Sequence, residues 1–190
     1  MSYFPAILKI DKSKVLVIGG GKIAGDKIEK LLDFTKNITI ISPKISSKIE
    51  RLIDKNGLNF INREYKIGDI KEFSIVIVAV DSISLQKAIF KECQKYNILC
   101  NSVDSVEYCN FIFPSYIKRD SLIVSFSTSG ISPSVSKYLR IAIEKLIPHS
   151  IGSFLKEMKK IRDTLPKGEE RMRLLDKKAK EYIDSIFKKD

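Results

Sequence analysis

Gly19-Gly20-Gly21-Lys22-Ile23-Ala24 is the stretch of this chain whose residue types are best suited to chemistry. It matches G-x-G-x-x-A at the junction of an apolar run and a helical pattern. Gly19 permits a tight turn, Gly21 lacks the Cβ that would keep the backbone away from a pyrophosphate, and Ala24 allows close helix–strand packing. The backbone N–H groups of Lys22, Ile23 and Ala24 then face the phosphates, with the favourable end of the helix dipole behind them. An acidic residue about 20 positions further on would ordinarily grip the adenosine ribose. Here that place holds Ile41-Ser42-Pro43-Lys44. Ser42 can hydrogen-bond a ribose, and Lys44 can receive a 2′-phosphate or stay a solvated lysine, so the residue types leave NAD and NADP open. A carboxylate, Asp104, follows a later strand, within reach of the crevice where open parallel sheets bind ligands. The same position suits a residue that caps a strand–loop junction. Ser127-Thr128-Ser129-Gly130 and Ser132 offer hydroxyls and N–H groups before a helix, either to hold an anionic group or to form an ordinary N-terminal turn.

The elements that must position these groups follow a βα grammar. Val15-Leu16-Val17-Ile18, Ile38-Thr39-Ile40-Ile41 and the run Ser74 to Val80 are β-branched stretches of the kind buried on both faces of a parallel sheet. Leu58 to Ile61 and Ile98 to Val103 complete five predicted strands with helical crossovers. The first predicted helix carries Ile23, Ala24, Ile28, Leu31 and Leu32 on one side. A second, with Ile45, Ile49, Leu52 and Ile53, ends at Asn56-Gly57, and a third runs from about Ser84 to Tyr96. After residue 105 the pattern changes. Phe111 to Ile117 and Leu122 to Ser127 read as a hairpin. Ser132-Pro133 then starts a helix, with serine as N-cap and proline in the first turn. Val135, Tyr138, Leu139, Ala142, Ile143 and Leu146 form its apolar face. Two amphipathic helices divided near Pro166-Lys167-Gly168 close the chain. The expected fold is α/β: a Rossmann-type doubly wound parallel sheet, a small α+β segment and a C-terminal helical domain.

Composition narrows the function classes. The chain has 190 residues and a net charge of +11, which favours an anionic partner. Cys93, Cys100 and Cys109 are odd in number and no two lie closer than seven positions, which fits neither a disulfide framework nor a zinc knuckle. His149 is the single histidine, which excludes a His-rich metal site and a Ser-His-Asp triad elsewhere in the chain. No metal site is expected. No apolar run approaches the ~20 residues needed to span a bilayer, and the first residues lack the pattern of an export signal. A cytoplasmic protein without a membrane partner is expected. A short-chain reductase is disfavoured, because no Tyr-x-x-x-Lys pair stands near the expected strand end.

Tyr3-Phe4-Pro5, the glycine segment, Val78-Ala79-Val80-Asp81, Cys100-Asn101-Ser102-Val103-Asp104, Phe111-Ile112-Phe113-Pro114-Ser115 and Ser127 to Pro133 occur in one order. Together they resemble the precorrin-2 dehydrogenase family, which includes the N-terminal module of siroheme synthase; the likeness runs from about residue 3 to 148. It implies NAD-dependent oxidation of precorrin-2 to sirohydrochlorin on the way to sirohaem; some members also insert ferrous iron. It also implies a homodimer and a division into a nucleotide domain (1–113), a dimerisation segment (114–147) and a helical domain (148–190). Asp104 matches the catalytic aspartate. Val80, Asp81 and Asn101 join Gly19, Gly21, Lys22, Ile23, Ala24, Ser42, Pro43 and Lys44 around the cofactor. Phe113, Pro114, Ser127, Thr128, Ser129, Gly130 and Ser132 fall on the tetrapyrrole side. Val80, Gln86 and Asp26 depart from the family's usual threonine, asparagine and arginine. A polycarboxylate substrate suits the cationic C-terminal helices, where Lys156, Lys159, Lys160, Arg171, Arg173, Lys177 and Lys178 are candidate contacts. The competing expectation is a redox-sensing dinucleotide-binding regulator with a basic helical module for nucleic acid. No helix-turn-helix or aromatic-interleaved basic stretch supports that module, and no nucleic-acid partner is expected.

Overall fold

The computed structural model describes residues 3–103 and 105–187. The chain divides into two compact units, with the boundary between Phe113 and Pro114.

The first unit is built on a parallel sheet. Its strands are β1 (Val15–Ile18), β2 (Ile38–Ile41), β3 (Asn59–Ile61), β4 (Ile75–Val78) and β5 (Leu99–Ser102). They lie in the order β3-β2-β1-β4-β5, with Val15 opposite both Ile38 and Ile75. Strand alternation sends Val15 and Val17 to one face and Leu16 and Ile18 to the other. Helix α1 (Lys22–Leu31) covers the first face through Ala24, Ile28 and Leu31, and helix α2 (Ser47–Asn56) does so through Ile49. Helix α3 (Ile83–Lys95) covers the second face with Ile89 and Cys93. Side chains such as Ile77 are fully buried, and truncating one to alanine costs about 2–5 kcal/mol. The α/β Rossmann-type fold is therefore present.

Three local expectations change. The β3–β4 connection is not helical. Instead Arg63 grips Asp69 at 2.7 and 2.8 Å, Tyr65 donates to the Glu92 carboxylate, and Ile70 is buried against the second face. Strand β4 stops at Val78, and Ala79-Val80 lie in the connection from its carboxyl end to α3. Ile23 does not join the buried face of α1. It is 45% exposed, whereas its neighbour Ala24 is buried.

In the second unit β6 (Ser115–Arg119) and β7 (Leu122–Phe126) form an antiparallel hairpin closed by Asp120-Ser121. The expected strand from Phe111 starts at Ser115 instead. Phe111 and Phe113 pack against the core of the first unit, and Pro114 has no N–H to donate to a ladder. Helix α4 (Pro133–Glu144) is capped by Ser132 Oγ, which accepts from Val135 N at 3.4 Å. The helix packs on the hairpin, and Glu144 receives both Arg119 and Arg140. Its expected apolar face is not interior: Val135, Tyr138 and Leu139 are all exposed. Helices α5 (Ile151–Thr164) and α6 (Glu169–Phe187) pair through Phe154 stacked on Tyr182, ring centroids 3.9 Å apart. Residues 114–187 thus lie within one compact unit, where Lys156 of α5 pairs with Asp120 of the hairpin turn at 2.5 Å.

Candidate functional site

Each glycine of the triplet meets a different neighbour. Gly19 has φ +119, and a Cβ there would lie 2.1 Å from the Ala79 carbonyl oxygen, so the turn after β4 presses directly on it. A Cβ on Gly20 would lie 1.8 Å from the Lys44 oxygen and 2.7 Å from Ser42 Oγ. Ser46 N donates to the Gly20 carbonyl at 2.9 Å, which fastens the turn after β2 to the loop. Gly21 differs: its backbone is extended, it is the N-cap of α1 without a side-chain cap, and nothing lies within 4 Å of where its Cβ would be. The first N–H groups of a helix have no intrahelical acceptor. An open glycine ahead of those donors is a cradle that a pyrophosphate would fill. The residues present therefore fit a dinucleotide.

Other expected cofactor residues surround this loop in different states. Pro43, Lys44 and Asp81 are exposed and Val80 is half-buried. Ser42 is buried, and its hydroxyl donates to the Lys44 carbonyl at 2.6 Å, so its proton is engaged within the turn. Asn101, at the end of β5, is also turned to internal use. Its amide nitrogen donates to the Phe111 carbonyl at 3.1 Å, and its oxygen accepts from Lys27 Nζ at 3.5 Å. Both side chains thus make hydrogen bonds within the fold that hold the backbone at the ends of β2 and β5. Asp104 lies outside the described residues.

Sequence reasoning missed three residues here. Gly20 is the most tightly confined glycine of the triplet, although the G-x-G pattern leaves its position unspecified. Lys27 crosses to the far end of β5 and sits 4.6 Å from the Phe113 ring centroid, a cation–π distance. It occupies the apolar stripe Ala24, Ile28, Leu31, and a charge within such a stripe was the available signal. Gln86 is buried in the α3 stripe with Ile89 and Cys93. Its amide donates to the Val80 carbonyl at 2.7 Å and holds the turn after β4.

The three thiols are free, with Cys93 and Cys100 buried and Cys109 half-buried. Cys109 lies against Ser102 and Ser105, donating to their carbonyls at 3.2 Å, and burial pushes its pKa up. Hydrogen bonding to Cys93 and then burial push Cys100 up as well. Among the described residues no three His, Cys, Asp or Glu side chains gather as a metal site would, and no helix is long and apolar enough to cross a membrane.

The second unit carries the serine-rich loop. Ser129 (φ 55) and Gly130 (φ 83) are consecutive left-handed residues. Thr128 Oγ1 bridges the Ser132 amide and carbonyl, each at 3.0 Å, and Ser127 Oγ accepts from Ser129 N at 3.1 Å. Phe113 and Pro114, either side of the unit boundary, are half-buried. Of the seven candidate cations on α5 and α6, five have partners. Lys156, Lys177, Lys178 and Arg173 pair with carboxylates, and Arg171 caps the Arg162 and Leu165 carbonyls. Lys159 and Lys160 are exposed and make no ion pair among the described residues.

Residues 6–115 match a family model described as "Putative NAD(P)-binding". The chain belongs to this family. The chain is 32% identical over 165 residues to the siroheme synthase of Pseudoalteromonas atlantica, covering 87% of this chain and 36% of that protein. It is 34% identical over 152 residues to siroheme synthase 1 of Serratia proteamaculans, covering 80% and 32%. The chain therefore spans about a third of the length of these relatives. A solved structure titled "SirC, precorrin-2 dehydrogenase" superposes with a TM-score of 0.76 over 97% of this chain and 98% of that one, at 21% identity, and so shares the fold.

Proposed function

We propose that the chain is an NAD-dependent dehydrogenase that oxidises precorrin-2 to sirohydrochlorin in sirohaem synthesis. The observation that carries this reading is the extent of likeness to siroheme synthases, 87% of this chain at 32% identity. The open backbone at Gly21 supports the cofactor half of the reading. The alternative of a redox-sensing regulator with a nucleic-acid module is not favoured, since these relatives are synthases.

Oxidation removes two electrons and two protons' worth of hydrogen from the macrocycle, one hydrogen leaving as hydride and the other as a proton. Bound nicotinamide dinucleotide supplies the hydride acceptor. Gly21 and the N–H groups of Lys22, Ile23 and Ala24 would hold its diphosphate. Gly19, seated under Ala79, and Gln86, fixed on Val80, hold the turn that carries Val80 and Asp81. Lys27 and Asn101 fix the segment leading to Phe113. The resemblance gives Asp104 the role of proton acceptor, and gives Phe113, Pro114 and the hydroxyl and N–H groups of 127–130 and Ser132 to the tetrapyrrole's side. Lys159 and Lys160 are best placed to attract its carboxylates, because the other five named cations are engaged.

The reading extends to a cytoplasmic homodimer whose contacts come from residues 114–147, between a nucleotide domain of 1–113 and a helical domain of 148–190. The exposed Val135, Tyr138 and Leu139 support α4 as the dimer contact. The test is to incubate purified protein with precorrin-2 and NAD+ and follow the absorbance of sirohydrochlorin. Absence of NAD+-dependent oxidation overturns the reading, and subsequent addition of ferrous iron reads out metal insertion.

A further inference from the structure

Strand β5 ends at Ser102, but the chain soon returns to lie beside it. Asn101 and Cys109 form an isolated antiparallel bridge, and Asn110 N donates to the Cys100 carbonyl at 3.0 Å. The Asn110 side chain repeats the contact. Its oxygen accepts from Cys100 N at 2.7 Å, and its amide donates to the Ile98 carbonyl at 2.9 Å. The two ends of the intervening loop are therefore held side by side at the carboxyl end of β5.

The mouth of that loop closes on one atom. Cys109 Sγ accepts from Ser102 N at 3.2 Å and from Asn101 Nδ2 at 3.5 Å. Its single proton is shared between the Ser102 and Ser105 carbonyls, each 3.2 Å away. The Ser105 carbonyl also receives Tyr108 N at 3.1 Å, and Tyr108 is buried with its ring tilted against Phe90 of α3. On the other side Val103 N donates to the Val78 carbonyl at 2.9 Å. The residues just before and just after position 104 are thus anchored, one on β4 and the other on the Cys109 thiol. A thiol can donate and accept at the same atom. Burial pushes the Cys109 pKa up, which keeps the donated proton in place at neutral pH. Asn110 and the bridge already fasten the base of the loop to β5. What the thiol adds is its hold on Ser105, beside position 104.

We propose that Cys109 is a positioning residue for precorrin-2 oxidation: by holding Ser102 and Ser105 it sets where Asp104 meets the substrate. The proposal rests on the reading of Asp104 as proton acceptor and adds the group that fixes it.

The test compares Cys109→Val, Cys109→Ser and Asp104→Asn in the full chain, assayed with precorrin-2 and NAD+. Valine fills the space and suits the extended backbone here (φ −125, ψ 133), but makes none of the hydrogen bonds. Serine keeps a donor and an acceptor. Cys109→Val should lower kcat roughly tenfold or more, as a misplaced reacting group does, and leave NAD+ affinity unchanged. Cys109→Ser should recover most of that loss. In an Asp104→Asn background Cys109→Val should cost almost nothing further, because the group it positions is gone. Circular dichroism checks that each variant is folded. If Cys109→Val is not, Cys109→Ala leaves the same groups unpaired without the bulk and is read in the same way; loss of the fold in both makes the role structural and overturns the proposal. Parental kcat in Cys109→Val, the full loss repeated in the Asp104→Asn background, weakened NAD+ binding in step with kcat, or no recovery by serine also overturns it, and leaves the dehydrogenase reading standing. Unchanged turnover in Asp104→Asn removes the acceptor, and the positioning role falls with it. If the parent chain shows no NAD+-dependent oxidation, the dehydrogenase reading itself fails.

Discussion

Substitutions at two adjacent glycines should act in opposite ways. In Gly20→Ala the new Cβ starts 1.8 Å from the Lys44 oxygen and 2.9 Å from the Lys44 carbonyl carbon. Ordinary contact begins near 3.4 Å, so a backbone carbonyl must retreat by about 1.5 Å. That movement pulls apart the Ser42 Oγ–Lys44 and Ser46 N–Gly20 hydrogen bonds. Two hydrogen bonds at about 1 kcal/mol each, plus local strain, give a destabilisation of roughly 3 kcal/mol. That corresponds to a fall in Tm of about 10 °C. At Gly21 nothing lies within 4 Å, and the backbone (φ −80, ψ −172) is one that any residue adopts. Aspartate is also a better N-cap than glycine, by a few tenths of a kcal/mol. Gly21→Asp should therefore keep or slightly raise Tm, yet abolish NAD+ binding by putting bulk and like charge against the diphosphate. Thermal unfolding followed by circular dichroism, with NAD+ titration of each variant, measures both effects. A Gly20→Ala protein as stable as the parent, or a Gly21→Asp protein that binds NAD+ normally, would refute the reasoning.

Other outcomes follow from the same structure. Asp104→Asn should leave NAD+ binding intact and slow precorrin-2 oxidation by roughly 10²-fold or more; unchanged turnover removes Asp104 from the mechanism. Leu139→Arg should yield a monomer in analytical ultracentrifugation if the exposed face of α4 is the dimer contact, because a buried unpaired cation is costly. A parent protein that sediments as a monomer would dismiss that contact. Acid stability gives a further check. The Arg63 guanidinium holds the Asp69 carboxyl below its ordinary value of 3.8. A lowered folded-state pKa contributes stability that is complete above the unfolded value and is lost as pH falls through the folded one. Unfolding free energy should thus decline as pH drops below about 4, and Asp69→Asn should flatten that decline.

The primary structure by itself determined the order of the five strands and of α1 to α3 in the first unit and the position of its glycine loop, but not the irregular β3–β4 connection. Val15 to Ile18 and Ile75 to Val78 are β-branched or apolar throughout, a pattern that suits a strand covered on both faces. Ser132-Pro133 marked its helix start because caps and proline act through local backbone chemistry. What tertiary structure alone decided is which groups remain available to a ligand. Gly20 meets Lys44 because β2 lies beside β1, and Lys27 meets Asn101 across 74 positions because α1 packs over the edge shared with β4 and β5. Those meetings draw Ser42 and Asn101 into the scaffold and leave Gly21 and Lys44 facing outward. In the second unit the apolar stripe of α4 is exposed, a stripe that sequence period alone would assign to a core. Periodicity reports that a residue has an apolar side. Which surface that side faces depends on the packing of elements far apart in the chain.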